Sequence, residues 1–217
     1  ILILADGMGS GVKANILATM TSKILGTMFL RGIPLEECVE TIAETLPVCR
    51  VRQMAYATFS ILQVYDDGTA YLVEFDNPGC IFIRDGEVIK IPRNTRVVQD
   101  KEINEFRFTV KKGDALILLS DGTIHAGVGK SMTFGWPWKD IAEFVVRQRE
   151  HAISSIRLAA AVCEECDKLY EGKPGDDTTV AVMQIIDRRP VHLMTGPPVD
   201  RDDDERIISE FMKDETA

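Results

Sequence analysis

Apolar and polar positions change period several times along the chain, and each change marks an element. Ile1 to Ala5 are all apolar, enough for a short buried strand. The run stops at Asp6-Gly7-Met8-Gly9-Ser10-Gly11. From Val12 to Leu30, Ile16, Leu17, Met20, Ile24, Met28 and Leu30 recur with helical spacing. Gly32-Ile33-Pro34 interrupts this, and Pro34 suits the first turn of a second helix. That helix is predicted over Leu35–Leu46, with Val39, Ile42, Ala43 and Leu46 on its apolar face and Pro47 at its end. The pair reads as a helical hairpin behind the glycine-rich loop.

From Ala55 the residues become strand formers, and Ala55–Tyr65 is predicted as a strand. Asp66-Asp67-Gly68 is a hairpin turn signal, followed by a strand over Tyr71–Phe75. Asp76-Asn77-Pro78-Gly79 reads as another turn before Cys80–Arg84, and Asp85-Gly86 turns into Val88–Ile91. Together these predict an antiparallel meander of four strands. The polar stretch from Arg93 to Asn104 reads as loop. Glu105–Val110 and Ala115–Leu119 are predicted strands around the turn Lys111 to Asp114. After Ser120-Asp121-Gly122, residues 123–136 read as glycine-rich and irregular. Helices follow over Trp138–Arg149 and Ala152–Tyr170, then a last strand over Val180–Ile186. Nothing divides these elements, which predicts one domain over residues 1–187. Residues 188–217 differ, with Pro190, Gly196, Pro197 and Pro198, an acidic run from Asp200 to Glu205, and a short predicted helix Glu205–Lys213. The acidic run reads as a solvated tail.

Composition narrows the function classes. The 217 residues carry a net charge of −9, which disfavours nucleic acid as a partner. No apolar run approaches the roughly 18 residues of a membrane span. Five scattered cysteines argue against a secreted disulfide framework and fit a reducing cytosol, so a cytoplasmic location is expected. Cys163 and Cys166 form a CxxC inside a helical run without a second pair, which reads as small buried helix residues. Ile1 stands where an initiator Met is absent and no signal peptide is visible, so a preceding segment is expected.

The candidate chemistry lies where buried strands meet acids. Asp6-Gly7 ends one apolar strand, Asp121-Gly122 ends another, and Asp176-Asp177 stands just before a third. A carboxylate at the end of a buried strand is costly unless a cation meets it. Hard cations take carboxylate and carbonyl oxygens, so Asp6 reads as a metal ligand. A dinucleotide-binding loop is the rival reading, but the glycines at 7, 9 and 11 do not give GxGxxG. Asp6 would also repel a pyrophosphate, and Lys23 to Arg31 holds no acid for a ribose. His125 reads as a loop histidine bonded to backbone, with a phosphate contact or proton donor as its sharper role. Gly129-Lys130-Ser131 lacks the upstream glycine of a phosphate loop, since position 124 is Ile.

In this order, Asp6-Gly7-Met8-Gly9-Ser10-Gly11, Leu119-Ser120-Asp121-Gly122 and Gly175-Asp176-Asp177-Thr178-Thr179-Val180 resemble the motifs of the metal-dependent serine/threonine phosphatases of the protein phosphatase 2C class. The first motif looks most like the branch of stage II sporulation protein E. The resemblance covers residues 1 to about 187 and implies an α+β fold, a four-layer αββα sandwich of two antiparallel sheets flanked by helices. It implies two manganese or magnesium ions at one rim. Carried over by motif position, Asp6 would bridge both ions and the Gly7 carbonyl would bind one. Asp121 and Asp176 would hold the other, with Asp177 behind them; His125, close after Asp121 in the chain, is a candidate to stand behind them on its position alone. Two departures stand out. The chain starts too late to show the acid usually found upstream of DGMGSG. Asp76-Asn77-Pro78-Gly79-Cys80 also replaces the usual Asn-Ala-Gly-His.

The resemblance therefore implies hydrolysis of phosphoserine or phosphothreonine on a bacterial regulatory protein of the anti-sigma-factor-antagonist type, by water activated between two metals. It also allows a homodimer, with the helical hairpin acting as a switch. The alternative is a catalytically silent sensor or scaffold of the same fold. Intact acids at 6, 121 and 176 weigh against that alternative, because a scaffold has no need of carboxylates that repel one another.

Overall fold

The computed structural model describes residues 1–7, 12–45, 48–49, 54–55, 57–98, 101–149 and 154–186. The acidic run, the predicted helix Glu205–Lys213 and glycines 9 and 11 lie outside the described residues.

The elements follow in order as β1 (Leu2–Gly7), α1 (Val12–Leu30), α2 (Leu35–Thr45), β2 (Val48–Cys49), β3 (Met54–Ala55), β4 (Ala57–Val64), β5 (Thr69–Phe75), β6 (Ile81–Arg84) and β7 (Glu87–Val88). Then come β8 (Asn94–Val98), β9 (Lys101–Thr109), β10 (Ala115–Leu119), α3 (Asp121–Ile124), α4 (Trp138–Arg149), α5 (Ser155–Leu169) and β11 (Val180–Gln184). A five-stranded sheet runs β1-β4-β5-β9-β8, and a four-stranded sheet runs β11-β10-β6-β7. All named pairings in both sheets are antiparallel.

Three buried clusters explain the layers. Leu4, Leu62, Leu72, Phe82, Leu116 and Leu118 fill the space between the sheets. The alternate residues face outward. Phe59, Ile61, Tyr71, Val73 and Ile103 pack under α1 and α2 against Leu25, Leu35, Val39 and Ile42. Ile81, Ile83, Ile117 and Leu119 pack under α4 and α5 against Ile141, Val145, Leu158 and Val162. This is the expected αββα sandwich. The unbroken apolar run of β10 follows from burial on both faces, since odd and even positions enter different cores.

Several expectations need correction. The meander of four strands does not form: β4 and β5 pair in the first sheet, while β6 and β7 pair in the second. Asp76-Asn77-Pro78-Gly79 therefore carries the chain from one sheet to the other, with Asp76 at φ 53. The strand expected at Val88–Ile91 shortens to Glu87–Val88, although Ile89 and Ile91 still pack on the inter-sheet core. The stretch read as loop from Arg93 to Asn104 holds β8 and the start of β9. Its polarity reflects an edge position: Arg96 on β8 pairs with Glu105 at 2.8 Å and with Glu40 of α2 at 2.5 Å. In α1, Leu25 is buried and Leu17 and Met28 pack on the core, whereas Ile16, Met20 and Ile24 are exposed. The irregular stretch read from 123 is shortened by α3, which reaches Ile124. Cys163 and Cys166 lie on α5 as free thiols, Cys166 fully buried.

Candidate metal centre

The sheet register places the strand ends. In β1, Asp6 is the antiparallel partner of Thr58 and Gly7 of Ala57. Leu2 and Leu4 pack on the inter-sheet core, and strand alternation puts Asp6 on that same face, at the rim. Gly7 is required by a close approach: a β-carbon there would fall 2.0 Å from the Ala14 carbonyl oxygen in the first turn of α1. The Gly7 N–H donates to Asp6 Oδ1 at 2.8 Å, while Asp6 Oδ2 is buried with no hydrogen-bond partner.

In the second sheet, β10 pairs with β11 so that Leu119 faces Val180. Asp121 and Asp176 therefore leave the same end of neighbouring strands. Ser120 ties the two together. Its N–H donates to the Thr179 carbonyl at 3.0 Å, and its hydroxyl accepts from the Thr179 N–H at 2.8 Å and donates to the Asp177 carbonyl at 3.1 Å. Engaged in this way, the Ser120 hydroxyl does not cap α3, although it occupies the capping position.

The three carboxylates feel one another. Burial, followed by the negative charge of Asp121, pushes the Asp6 carboxyl up to about 7; the Gly7 N–H opposes this, and the charge of Asp176 adds to it. Asp176 is raised by burial, lowered by the Asp177 N–H, raised by Asp121 and Asp177, and lowered by His125. The Asp177 N–H donates to Asp176 Oδ1 at 2.9 Å. His125 ends α3, with its backbone N–H on the Asp121 carbonyl at 2.9 Å. Thus Asp6, Asp121, Asp176, Asp177 and His125 share one neighbourhood. Among the described residues, no three His, Cys, Asp or Glu side chains close into a preformed cage for an ion. The donor set nevertheless fits a hard cation, because a buried carboxylate oxygen without a partner lies among acids that repel it.

The sequence reading missed the supports of this rim. Thr58 donates to Asn77 Oδ1 at 2.6 Å, and Asn77 Nδ2 donates to Ser60 Oγ at 3.1 Å. Glu74 Oε1 accepts from the Cys80 N–H at 2.6 Å, and Trp138 Nε1 donates to the Gly79 carbonyl at 2.6 Å. Burial pushes the Glu74 carboxyl up to about 7 against the Cys80 N–H and Arg93, which lower it. A polar residue alternating into an otherwise apolar strand, as Glu74 does in β5, was the available signal.

Residues 1–186 match the family model described as stage II sporulation protein E. The chain belongs to that family. It is similar to stage II sporulation protein E of Bacillus subtilis (strain 168), with 24% identity over 193 residues; the match takes in 86% of this chain and 22% of the relative. The chain thus spans less than a quarter of that relative's length. Among solved structures, it resembles the PP2C phosphatase domain with a regulatory-domain fragment of stage II sporulation protein E from Bacillus subtilis, with a TM-score of 0.66 and 21% identity over 85% of this chain and 54% of that one. It also resembles RsbX, solved in complex with magnesium, with a TM-score of 0.54 and 17% identity over 83% of this chain and 78% of that one. The sandwich of two antiparallel sheets is therefore the fold of these phosphatase domains. Among the described residues no helix is long and apolar enough to cross a membrane.

Proposed function

We propose that this sporulation-protein-E family domain is a metal-dependent phosphoprotein phosphatase acting on phosphoserine or phosphothreonine. The observation that carries the reading is the Asp6 carboxylate, held beside Asp121 and Asp176 with one oxygen buried and unpartnered. Asp6 and the Gly7 carbonyl from β1, with Asp121 and Asp176 from the second sheet, would hold two manganese or magnesium ions. Such ions supply the positive charge that activates water and neutralises phosphate oxygens during an in-line displacement. The chain's own contribution is rigidity and orientation. Ser120 locks the Asp121 and Asp176 segments together, and the Gly7 N–H turns Asp6 Oδ1 so that Oδ2 faces away from it. No side-chain nucleophile is needed in this reading.

The substrate in this reading is a phosphorylated bacterial regulatory protein of the anti-sigma-factor-antagonist type, met in the cytoplasm. Residues 1–187 form the catalytic domain and 188–217 an acidic extension. The exposed side chains of Ile16, Met20 and Ile24 on α1 offer an apolar stripe to a second copy of the chain in a homodimer. The test is hydrolysis of an aryl phosphate and of a phosphoserine protein across a series of divalent metals. Turnover that requires manganese or magnesium and is lost in Asp6→Asn supports the reading. Manganese binding without turnover would favour a silent scaffold.

A further inference from the structure

Lys130 belongs to the Gly129-Lys130-Ser131 stretch and lies in the turns between α3 and α4. Its Nζ donates to two backbone carbonyls: that of Tyr170, which caps the end of α5, and that of Lys173 in the loop beyond it, at 2.9 Å. The neighbouring Ser131 hydroxyl donates to the Leu169 carbonyl at 3.2 Å. The last carbonyls of a helix lack intrahelical partners and carry its negative dipole end, so an ammonium group is well matched to them. Gly127 makes the approach possible, since a β-carbon there would meet Ser131 Oγ at 2.8 Å and the Leu169 β-carbon at 3.4 Å, and its φ is +84.

Tyr170 extends the chain of contacts toward the acids. Its side chain is buried, and its hydroxyl donates to the Gly122 carbonyl at 2.7 Å. Gly122 directly follows Asp121. Beyond Tyr170 the backbone turns through left-handed residues, Glu171 at φ 53 and Gly172 at φ 68, and reaches Asp176 three residues after Lys173. Lys130 thus grips the carbonyls of Tyr170 and Lys173, on either side of this turn. Tyr170 grips the segment that starts at Asp121.

We propose that Lys130 and Tyr170 are positioning residues that set the separation of Asp121 and Asp176, and so tune the affinity of this acid pair for a divalent cation. The inference rests on the metal reading above. Neither side chain touches a reacting atom in it, and both act through backbone carbonyls. Removing either contact frees one side of the pair without removing a ligand.

The test uses the 217-residue chain with Lys130→Met, Lys130→Arg and Tyr170→Phe. Manganese binding is followed by calorimetry, and aryl phosphate hydrolysis is followed against manganese concentration. Lys130→Met and Tyr170→Phe should each weaken the weaker manganese binding event by on the order of tenfold, the loss typical when a partner that orients a metal ligand is removed. Turnover at saturating manganese should stay near wild type. Lys130→Arg should restore binding, because a guanidinium can also donate to two carbonyls. A merely structural role would lower the melting temperature and leave the manganese affinity of the folded protein unchanged, and that result overturns the inference alone. A wild-type chain that binds no manganese overturns the metal reading and the inference with it.

Discussion

Gly122 lies against Asp177 so closely that a β-carbon at 122 would fall 2.3 Å from the Asp177 carbonyl oxygen and 2.8 Å from its carbonyl carbon. The backbone leaving β10 and the backbone entering β11 therefore touch at the point where both deliver acids to the rim. A glycine follows the aspartate here to make room for the neighbouring chain; positive φ is not the reason, since no φ in that range is found at Gly122. Gly122→Ala should push residues 176–177 away from Asp121. The expected result is a stability loss of about 2 kcal/mol, as for other overpacked sites, together with weaker manganese binding. Melting curves with and without manganese check both parts. An alanine variant with wild-type stability and manganese response would show that the contact has no bearing on the site.

The acids at the rim predict opposite responses with and without metal. Without cations, Asp6 sits beside like charges with Oδ2 unpartnered, which raises the free energy of the folded state. Asp6→Asn relieves that repulsion, so the metal-free variant should melt above metal-free wild type. With manganese the order should reverse, because a ligand that binds only the folded protein stabilises it and the variant binds less. Hydrolysis should fall by on the order of 10² or more, as when a group that stabilises transition-state charge is lost. Differential scanning calorimetry of both proteins, with and without manganese, reads the crossover. Melting curves that keep the same order in both conditions would remove Asp6 from the site.

How much of this was visible in the sequence depends on which force wrote each signal. The strand ends at Asp6 and Asp121 were legible because an apolar run stopping at Asp-Gly is a local pattern, and the sheets do bring those ends together. The helices α1, α4 and α5 were legible through their period. The crossing at Asp76-Asn77-Pro78-Gly79 was not legible, because a turn within a sheet and a passage between sheets use the same residues. β8 was hidden because an edge strand held by Arg96 to Glu105 and Glu40 needs no apolar face. Which side of α1 is buried was not legible, because Ile16, Met20 and Ile24 share the helical period with the residues that pack inward. The roles of Lys130 and Tyr170 are long-range: 40 residues separate them, and no local spacing reports the contact.

An ion pair away from the rim provides a control for stability effects. Asp114 is buried and accepts from Arg84 Nε at 3.0 Å, from Arg84 Nη2 at 2.6 Å and from the Lys111 N–H at 2.8 Å. Arg84 also donates to the Thr109 carbonyl at 2.9 Å and stacks over Phe82. The carboxylate thus organises the turn between β9 and β10. Asp114→Ala leaves the guanidinium without its charge partner and the Lys111 N–H without an acceptor. Because Arg84 stays partly exposed, the expected loss is about 2 kcal/mol, in the range for removing a charged hydrogen-bond partner. Chemical denaturation should show that loss, while manganese affinity of the folded protein stays at the wild-type value. A shift in manganese affinity would mean that this turn communicates with the rim.

Glu74 predicts how stability depends on pH. It is buried in β5, opposite Ser60, and its carboxyl is raised from an ordinary 4.5 to about 7, with burial as the main cause. Between these two values the folded protein holds a proton that the unfolded chain has released. The folded state then binds more protons than the unfolded state, so unfolding free energy falls as pH rises through the window. Glu74 alone accounts for a decline of about 3 kcal/mol across it, taking about 1.4 kcal/mol per pH unit. In the metal-free protein Asp6, also raised to about 7, slopes the same way, so the measurement is a difference between proteins. Glu74→Gln keeps an oxygen for the Cys80 N–H and cannot ionise. Urea denaturation at pH 5 and pH 7.5 should show a smaller decline in the variant than in wild type. Its advantage over wild type should be greatest at pH 7.5 and smallest at pH 5. Parallel curves for the two proteins would show that Glu74 ionises in the folded state as readily as in the unfolded chain.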